Sequence, residues 1–183
     1  MELGEPKQEE PKITFKNTCQ IAELADFMLE VHKKRFPDDD KTIEDSKERI
    51  KGFLEMQNAT ELVLRRDGEL IGCAFSFEEI EEDLRKKCPY ADFFARQGER
   101  VFQIKGVNVK LEYRGQGFGK MIMEEIMSKS REKGATKLIL STFPEKDNPA
   151  RRLYEKLGFR EAAPNQDPRS FYMQYEYPEE KLK

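Results

Sequence analysis

The sequence contains no tryptophan, one histidine (His32) and three cysteines. Each scarcity removes a class of chemistry. Cys19, Cys73 and Cys88 stand far apart, with no Cys-x-x-Cys pair and no His/Cys cluster. Neither a disulfide framework nor a metal site is therefore expected, and a reducing compartment suits the chain. No apolar stretch approaches the roughly 18 residues that a membrane-spanning helix requires. The opening MELGEPKQEEPK is acidic and apolar-poor, the reverse of a signal peptide. These features point to the cytoplasm, with no membrane partner. Positive charge is not in excess either: 33 basic residues face 36 acidic ones, for a net charge of -3. That balance offers no duplex-sized phosphate footprint, so no nucleic-acid partner is expected. It tolerates a cationic substrate without demanding one.

What is present suits one folded domain. The 183 residues are 37% apolar and 38% charged, enough to build a sizeable core under a heavily charged surface. Residues 1–11 read as a flexible tail, and 12–178 as the domain. ITF (13–15) is a short strand. Ile21, Leu24, Ala25, Met28 and Val31 then recur at helical spacing. FPDDD (36–40) breaks that pattern, and a second helix is expected over about 42–56. ELVLRR and LIGCAFSF flank Asp67-Gly68, a turn able to take positive φ, and read as a hairpin. Residues 78–100 interrupt the rhythm as an insertion before the strand VFQIKGVNV (101–109). A helix lined by Phe118, Met121, Ile122 and Ile126 follows, then the strand KLILSTF (137–143). Asn148 or Asp147 caps a helix through ARRLYEKLGF, and two strands close the chain. The order implies an α/β fold, a mixed central sheet with helices on both faces and one parallel β-α-β unit.

Between strand 101–109 and its helix lies YRGQGFGK (113–120). A short turn into a helix leaves backbone N–H groups unpaired beside the helix's positive end, which suits a phosphate. Gly115, Gly117 and Gly119 let a ligand approach the backbone, and Arg114 and Lys120 add charge. The ATP-binding Walker pattern fails because Lys120 is followed by Met121, with no hydroxyl for magnesium. The dinucleotide pattern GxGxxG also fails, because the glycines are spaced two and two. From these eight residues alone, a plain glycine turn beside a basic surface stays open.

A second block makes the pattern more specific. QIKGVNVKLEYRGQGFGKMIMEEI, followed by LILSTF and DNPARRLYEKLGF, resembles the GNAT family of acetyl-CoA-dependent N-acetyltransferases. The family's diphosphate pattern (Gln or Arg, two residues, Gly, one residue, Gly or Ala) is met by Arg114, Gly117 and Gly119. Its Leu-Tyr-x-Lys-x-Gly-Phe block is met by Leu153, Tyr154, Lys156, Gly158 and Phe159, while Asn148 stands one place from its usual position. The resemblance is strong over about 101–160, and the earlier elements follow the family's order.

The resemblance implies acetyl-CoA as cosubstrate, its diphosphate held by Arg114, Gly115, Gln116, Gly117, Phe118, Gly119 and Lys120. Asn148 and Arg151 would add contacts from the second block. The pantetheine arm would enter a wedge beside 101–109 and pair with the backbone of Val107 and Val109. By the same resemblance, the N–H of Val107 or Asn108 holds the developing oxyanion, and Tyr154 protonates the departing thiolate. The strand glutamate that some family members use falls at Gln103, an amide that cannot take a proton. Glu99, the acids at 78–82, His32 or a water chain remain open as the base, while Glu112 is too close to the phosphate loop. Residues 36–41, 162–170 and the insertion would border the acceptor. Tyr90, Phe93 and Phe94 would line it or anchor the insertion, and Glu78, Glu79, Glu81, Glu82 and Asp83 would attract a polyamine or a basic terminus. A small-molecule or polyamine-like amine is the favoured acceptor, in a monomer or homodimer. A protein N-terminus or lysine, or a sensor that binds acetyl-CoA without transfer, stays open.

Overall fold

The computed structural model describes residues 11–16, 19–79, 98–165 and 167–178. Most of the tail and most of the insertion, including Glu81, Glu82, Asp83, Tyr90, Phe93 and Phe94, lie outside the described residues. The chain order is β1 (Ile13–Lys16), α1 (Ile21–Arg35), α2 (Ile43–Leu54), β2 (Thr60–Arg66), β3 (Glu69–Glu78) and β4 (Val101–Val109). It continues with α3 (Phe118–Glu132), β5 (Lys137–Thr142), α4 (Pro149–Lys156), β6 (Arg160–Pro164) and β7 (Phe171–Glu176). The strands form one mixed sheet in the order β1-β2-β3-β4-β5-β7-β6. Of its pairings, only β4 with β5 is parallel. Among the described residues, no helix is long and apolar enough to cross a membrane.

Local signals explain most boundaries. Asp67 and Gly68 take φ of 51° and 88°, turning β2 into β3 with the twist that a two-residue hairpin needs. Thr42 and Asp45 form a reciprocal capping box at the start of α2, which satisfies two N–H groups that the helix would otherwise leave free. Asn148 caps α4 by accepting from the Ala150 N–H at 3.0 Å.

Alternation along the strands divides the core into two layers. Leu62, Leu64, Ile71, Phe102, Ile104 and Leu138 face α3 and α4, while Val63, Cys73 and Phe75 face α1 and α2. Along α3 the buried residues are Phe118, Ile122, Met123, Ile126 and Ser130. The sequence pattern favours Met121, but that side chain packs at the stripe's margin, half-buried. A helix lying on a broad sheet buries a stripe wide enough to take the neighbouring position.

Candidate active site

The site begins with a defect in β4. Cys73 opposes Asn108 and Phe75 opposes Lys105, so two residues of β4 stand across from Ala74. Gly106, at φ 61°, makes this bulge possible. A Cβ there would meet the Phe75 ring at 3.0 Å, and an L side chain is strained at that φ. The bulge marks where the sheet opens. Pairing of β4 with β5 runs only from Val101–Lys137 to Gln103–Ile139, whereas β5 stays paired with β7 through Thr142. The β5-facing edge of residues 104–109 therefore has no strand partner, leaving backbone that a ligand amide can pair with.

Beyond Val109 the chain passes through a short 3-10 turn (Leu111–Tyr113) into the glycine loop. Gly115 and Gly117 take φ of 76° and 88°, and a Cβ built on either would touch no protein atom within 4 Å. The left-handed backbone asks for glycine there, and the space in front is open. Among the described residues, the backbone N–H groups of 115–119 donate no hydrogen bond. They cluster at the positive end of α3, a ready anion cradle. The Arg114 Nε donates to the Val109 carbonyl at 3.1 Å, tying the loop to the end of β4.

The wedge and the glycine loop share one cleft of about 900 Å³. Val107, Asn108 and Val109 form its β4 wall, and Arg114, Gly115, Gly117, Gly119 and Lys120 form its phosphate end. Asn148 and Tyr154 close the α4 side, and His32, Lys34, Arg35 and Phe36 at the end of α1 close the other. The structure thus brings most of the sequence-predicted residues together. Three lie elsewhere. Phe118 is buried in the core. The Gln116 amide donates to the Glu112 carbonyl at 3.0 Å. Arg151 pairs with Glu155 at 2.8 Å and lies over the Phe171 ring. The arginine at the cleft is its neighbour Arg152. A helix turns by about 100° per residue, so adjacent arginines face different ways. The four-residue spacing of Arg151 to Glu155 is that of an ion pair within one helix.

Tyr154 is buried, and no hydrogen bond engages its hydroxyl among the described residues. Burial pushes its pKa up to about 12, opposed by the nearby Arg35 charge. Its phenol therefore stays protonated at neutral pH and can donate. Arg35 lies between Phe36 and Phe143, 5.2 and 5.0 Å from the two ring centres. Its role at the cleft, like that of Lys34, is invisible in the sequence, because the two residues read only as a basic helix end.

Among the candidate bases, His32 lines the cleft; Glu78, Glu79, Glu99 and Glu112 do not. Glu78 binds Arg100 at 2.8 Å, which holds its carboxyl below the ordinary range. Gln103, with its amide oriented to suit its neighbours, donates to Glu79 at 2.6 Å and accepts from Lys105 at 3.2 Å. His32 Nε2 lies 3.1 Å from Asp39 Oδ2. That is ion-pair distance, and after the Lys41 backbone N–H this neighbour helps hold the Asp39 carboxyl below its usual range. Among the described residues, no group of three or more His, Cys, Asp or Glu side chains is placed to hold a metal ion.

The chain matches the model of the acetyltransferase (GNAT) family over residues 23–159. A stretch of 67 residues is 45% identical to the glucosamine 6-phosphate N-acetyltransferase of Trypanosoma brucei brucei, covering 37% of this chain and 43% of that relative. The match thus spans less than half of the relative's length. Among solved structures, the PaiA N-acetyltransferase from Thermoplasma acidophilum, in complex with coenzyme A, superposes with a TM-score of 0.66 at 17% identity. The alignment covers 91% of this chain and 99% of that one. NAA60 from Arabidopsis thaliana, in complex with acetyl-CoA, gives 0.66 at 19% identity, covering 90% and 98%. At such identities the likeness is one of fold.

Proposed function

Because the chain belongs to the GNAT acetyltransferase family, we propose that it transfers the acetyl group of acetyl-CoA to the amine of a small molecule. One observation carries this reading: the unengaged N–H groups of 115–119 and the open edge of β4 face a single cleft that leads to the Tyr154 side chain. An anionic diphosphate, an amide-bearing arm and a thioester need those three features in that order. The bound coenzyme supplies an activated acyl group.

Each residue then has a task. The 115–119 amides and Arg114 hold the diphosphate. The free edge at Val107 and Val109 orients the arm, and the N–H of Val107 or Asn108 receives the carbonyl oxygen as its negative charge grows. Tyr154 gives its proton to the departing thiolate. His32 stands where the cleft meets a smaller pocket beside Asn108, within reach of the attacking amine as the group that takes its proton. That second pocket, about 100 Å³ between α1, α2 and β4, has the size for part of a small molecule. The Trypanosoma relative is likewise named for a small amine, which supports the same acceptor class.

The test is thiol release from acetyl-CoA across a panel of small amines and of peptides. Transfer to small amines is expected, with peptides poor. Tyr154→Phe should lower kcat by about 100-fold while leaving acetyl-CoA affinity within about twofold. With the phenol pKa near 12, rate should rise with pH as the amine loses its proton, with no fall from tyrosine ionisation below about pH 10. Equal turnover in the phenylalanine variant would remove Tyr154 from the chemistry. Coenzyme binding without transfer to any amine would favour the sensor reading.

A further inference from the structure

The smaller pocket is walled by Met28 and His32 of α1, Ser46 and Arg49 of α2, Lys41 just before α2, and Gly106 and Asn108 at the bulge. It adjoins the coenzyme cleft, sharing His32 and Asn108 with it. Its polar lining is cationic or neutral, with no carboxylate. Among the described residues, neither Lys41 nor Arg49 has an acidic partner within ion-pair distance. Arg49 instead lies over the Phe53 ring, 5.4 Å from its centre.

The decisive group is Ser46. The residue is 2% exposed and lines the pocket, and its hydroxyl bonds to no protein group among the described residues. A hydroxyl that lines a cavity and bonds to no protein group is free to donate to an acceptor atom placed there. The acids nearby do not supply one. Of Asp38, Asp39 and Asp40 none lines the pocket, and Asp39 already accepts the Lys41 N–H at 2.9 Å.

Resting on the acetyl-transfer reading above, we propose that this pocket binds a phosphate or carboxylate group carried by the acceptor. The acceptor class is then a small amine that also bears an oxyanion. The guanidinium of Arg49 and the ammonium of Lys41 supply charge, and the Ser46 hydroxyl donates to one oxygen. About 100 Å³ accommodates such a group but not a whole sugar or peptide residue. The rest of the acceptor lies across Asn108 and His32, with its amine toward the coenzyme cleft. A polyamine would bring positive charge against Lys41 and Arg49, so this pocket disfavours the polyamine-like acceptor.

Two measurements separate this claim from the reading on which it rests. The first compares transfer to a phosphorylated amino sugar, its unphosphorylated parent, an amino acid and that amino acid's amide. Each charged member should have a KM at least about 10-fold below its neutral partner. Arg49→Gln and Ser46→Ala should erase most of that advantage through KM, with acetyl-CoA affinity unchanged and Arg49→Lys restoring part of it. The phosphate and carboxylate pairs show which oxyanion fits. The second measurement needs no turnover: inorganic phosphate is titrated into protein saturated with CoA, so that the diphosphate cradle is filled. Saturable binding that Arg49→Gln abolishes supports the site even if no amine in the panel is acetylated. No phosphate binding, together with equal KM for charged and neutral partners, overturns it. Phosphate binding that Arg49→Gln and Ser46→Ala leave unchanged overturns it as well.

Discussion

At Gly117 the backbone φ is 88° and the space where a side chain would stand is empty. Conformation and approach of an anion both ask for glycine there, and no packing constraint competes. Gly117→Glu would place a left-handed glutamate, with its charge, against a bound diphosphate. Acetyl-CoA affinity should fall by about 100-fold, or ~2.7 kcal/mol, as read by titration of a variant whose melting curve shows it folded. An unchanged Kd in that folded variant would remove the diphosphate from this loop. Glycines with their flanking bases were legible because the signal is local: a strand, a tight turn, a helix start. Arg151 was misplaced for the opposite reason. Which of two adjacent arginines faces the cleft depends on the rotation of α4, set by the packing of Ala150, Leu153 and Tyr154 on the core.

At the scale of one element, β4 carries the most. Its first half is sealed on both sides, by β3 and β5, and its second half keeps β3 alone. Gly106 is the joint between the halves, with φ of 61° and the Phe75 ring 3.0 Å from any added Cβ. Gly106→Ala should cost about 2 kcal/mol, from left-handed strain and displacement of the ring. For a domain of this size that is a fall of ~4–8 °C in Tm, with denaturant melts giving the same sign. Unchanged stability would mean that the bulge is not fixed by this residue. The strand itself and its bounds were readable from its β-branched residues, Val101, Ile104, Val107 and Val109. The bulge was only hinted at by Lys105-Gly106, because a register shift is a property of two strands and is not written in one. Met121 and Met123 show the same limit: periodicity finds the stripe, but the width of the sheet beneath decides its edge.

For the molecule as a whole, the split core explains why the site lies where it does. One layer holds α3 and α4 against the sheet, the other holds α1 and α2. The cleft crosses the sheet where β4 and β5 part, so it draws walls from both layers: the 114–120 loop and Tyr154 (without the side chains of Gln116 and Phe118) from one, and His32, Lys34, Arg35 and Phe36 from the other. The α3–α4 half of this arrangement was legible as two motifs at the right separation. The α1 half was not, since its contribution comes from a basic helix end whose position requires the folded sheet. The smaller pocket was harder still. Lys41, Ser46, Arg49 and Gly106 are scattered over three segments, and none belongs to a motif.

The central claim is that the cleft holds acetyl-CoA. Calorimetric titration of the folded protein with acetyl-CoA, with CoA and NADH as comparisons, tests it most directly. Saturable binding of acetyl-CoA and CoA near one per chain, with none for NADH, is the predicted result. No binding of either thiol coenzyme, or NADH binding as well as they do, would contradict the account.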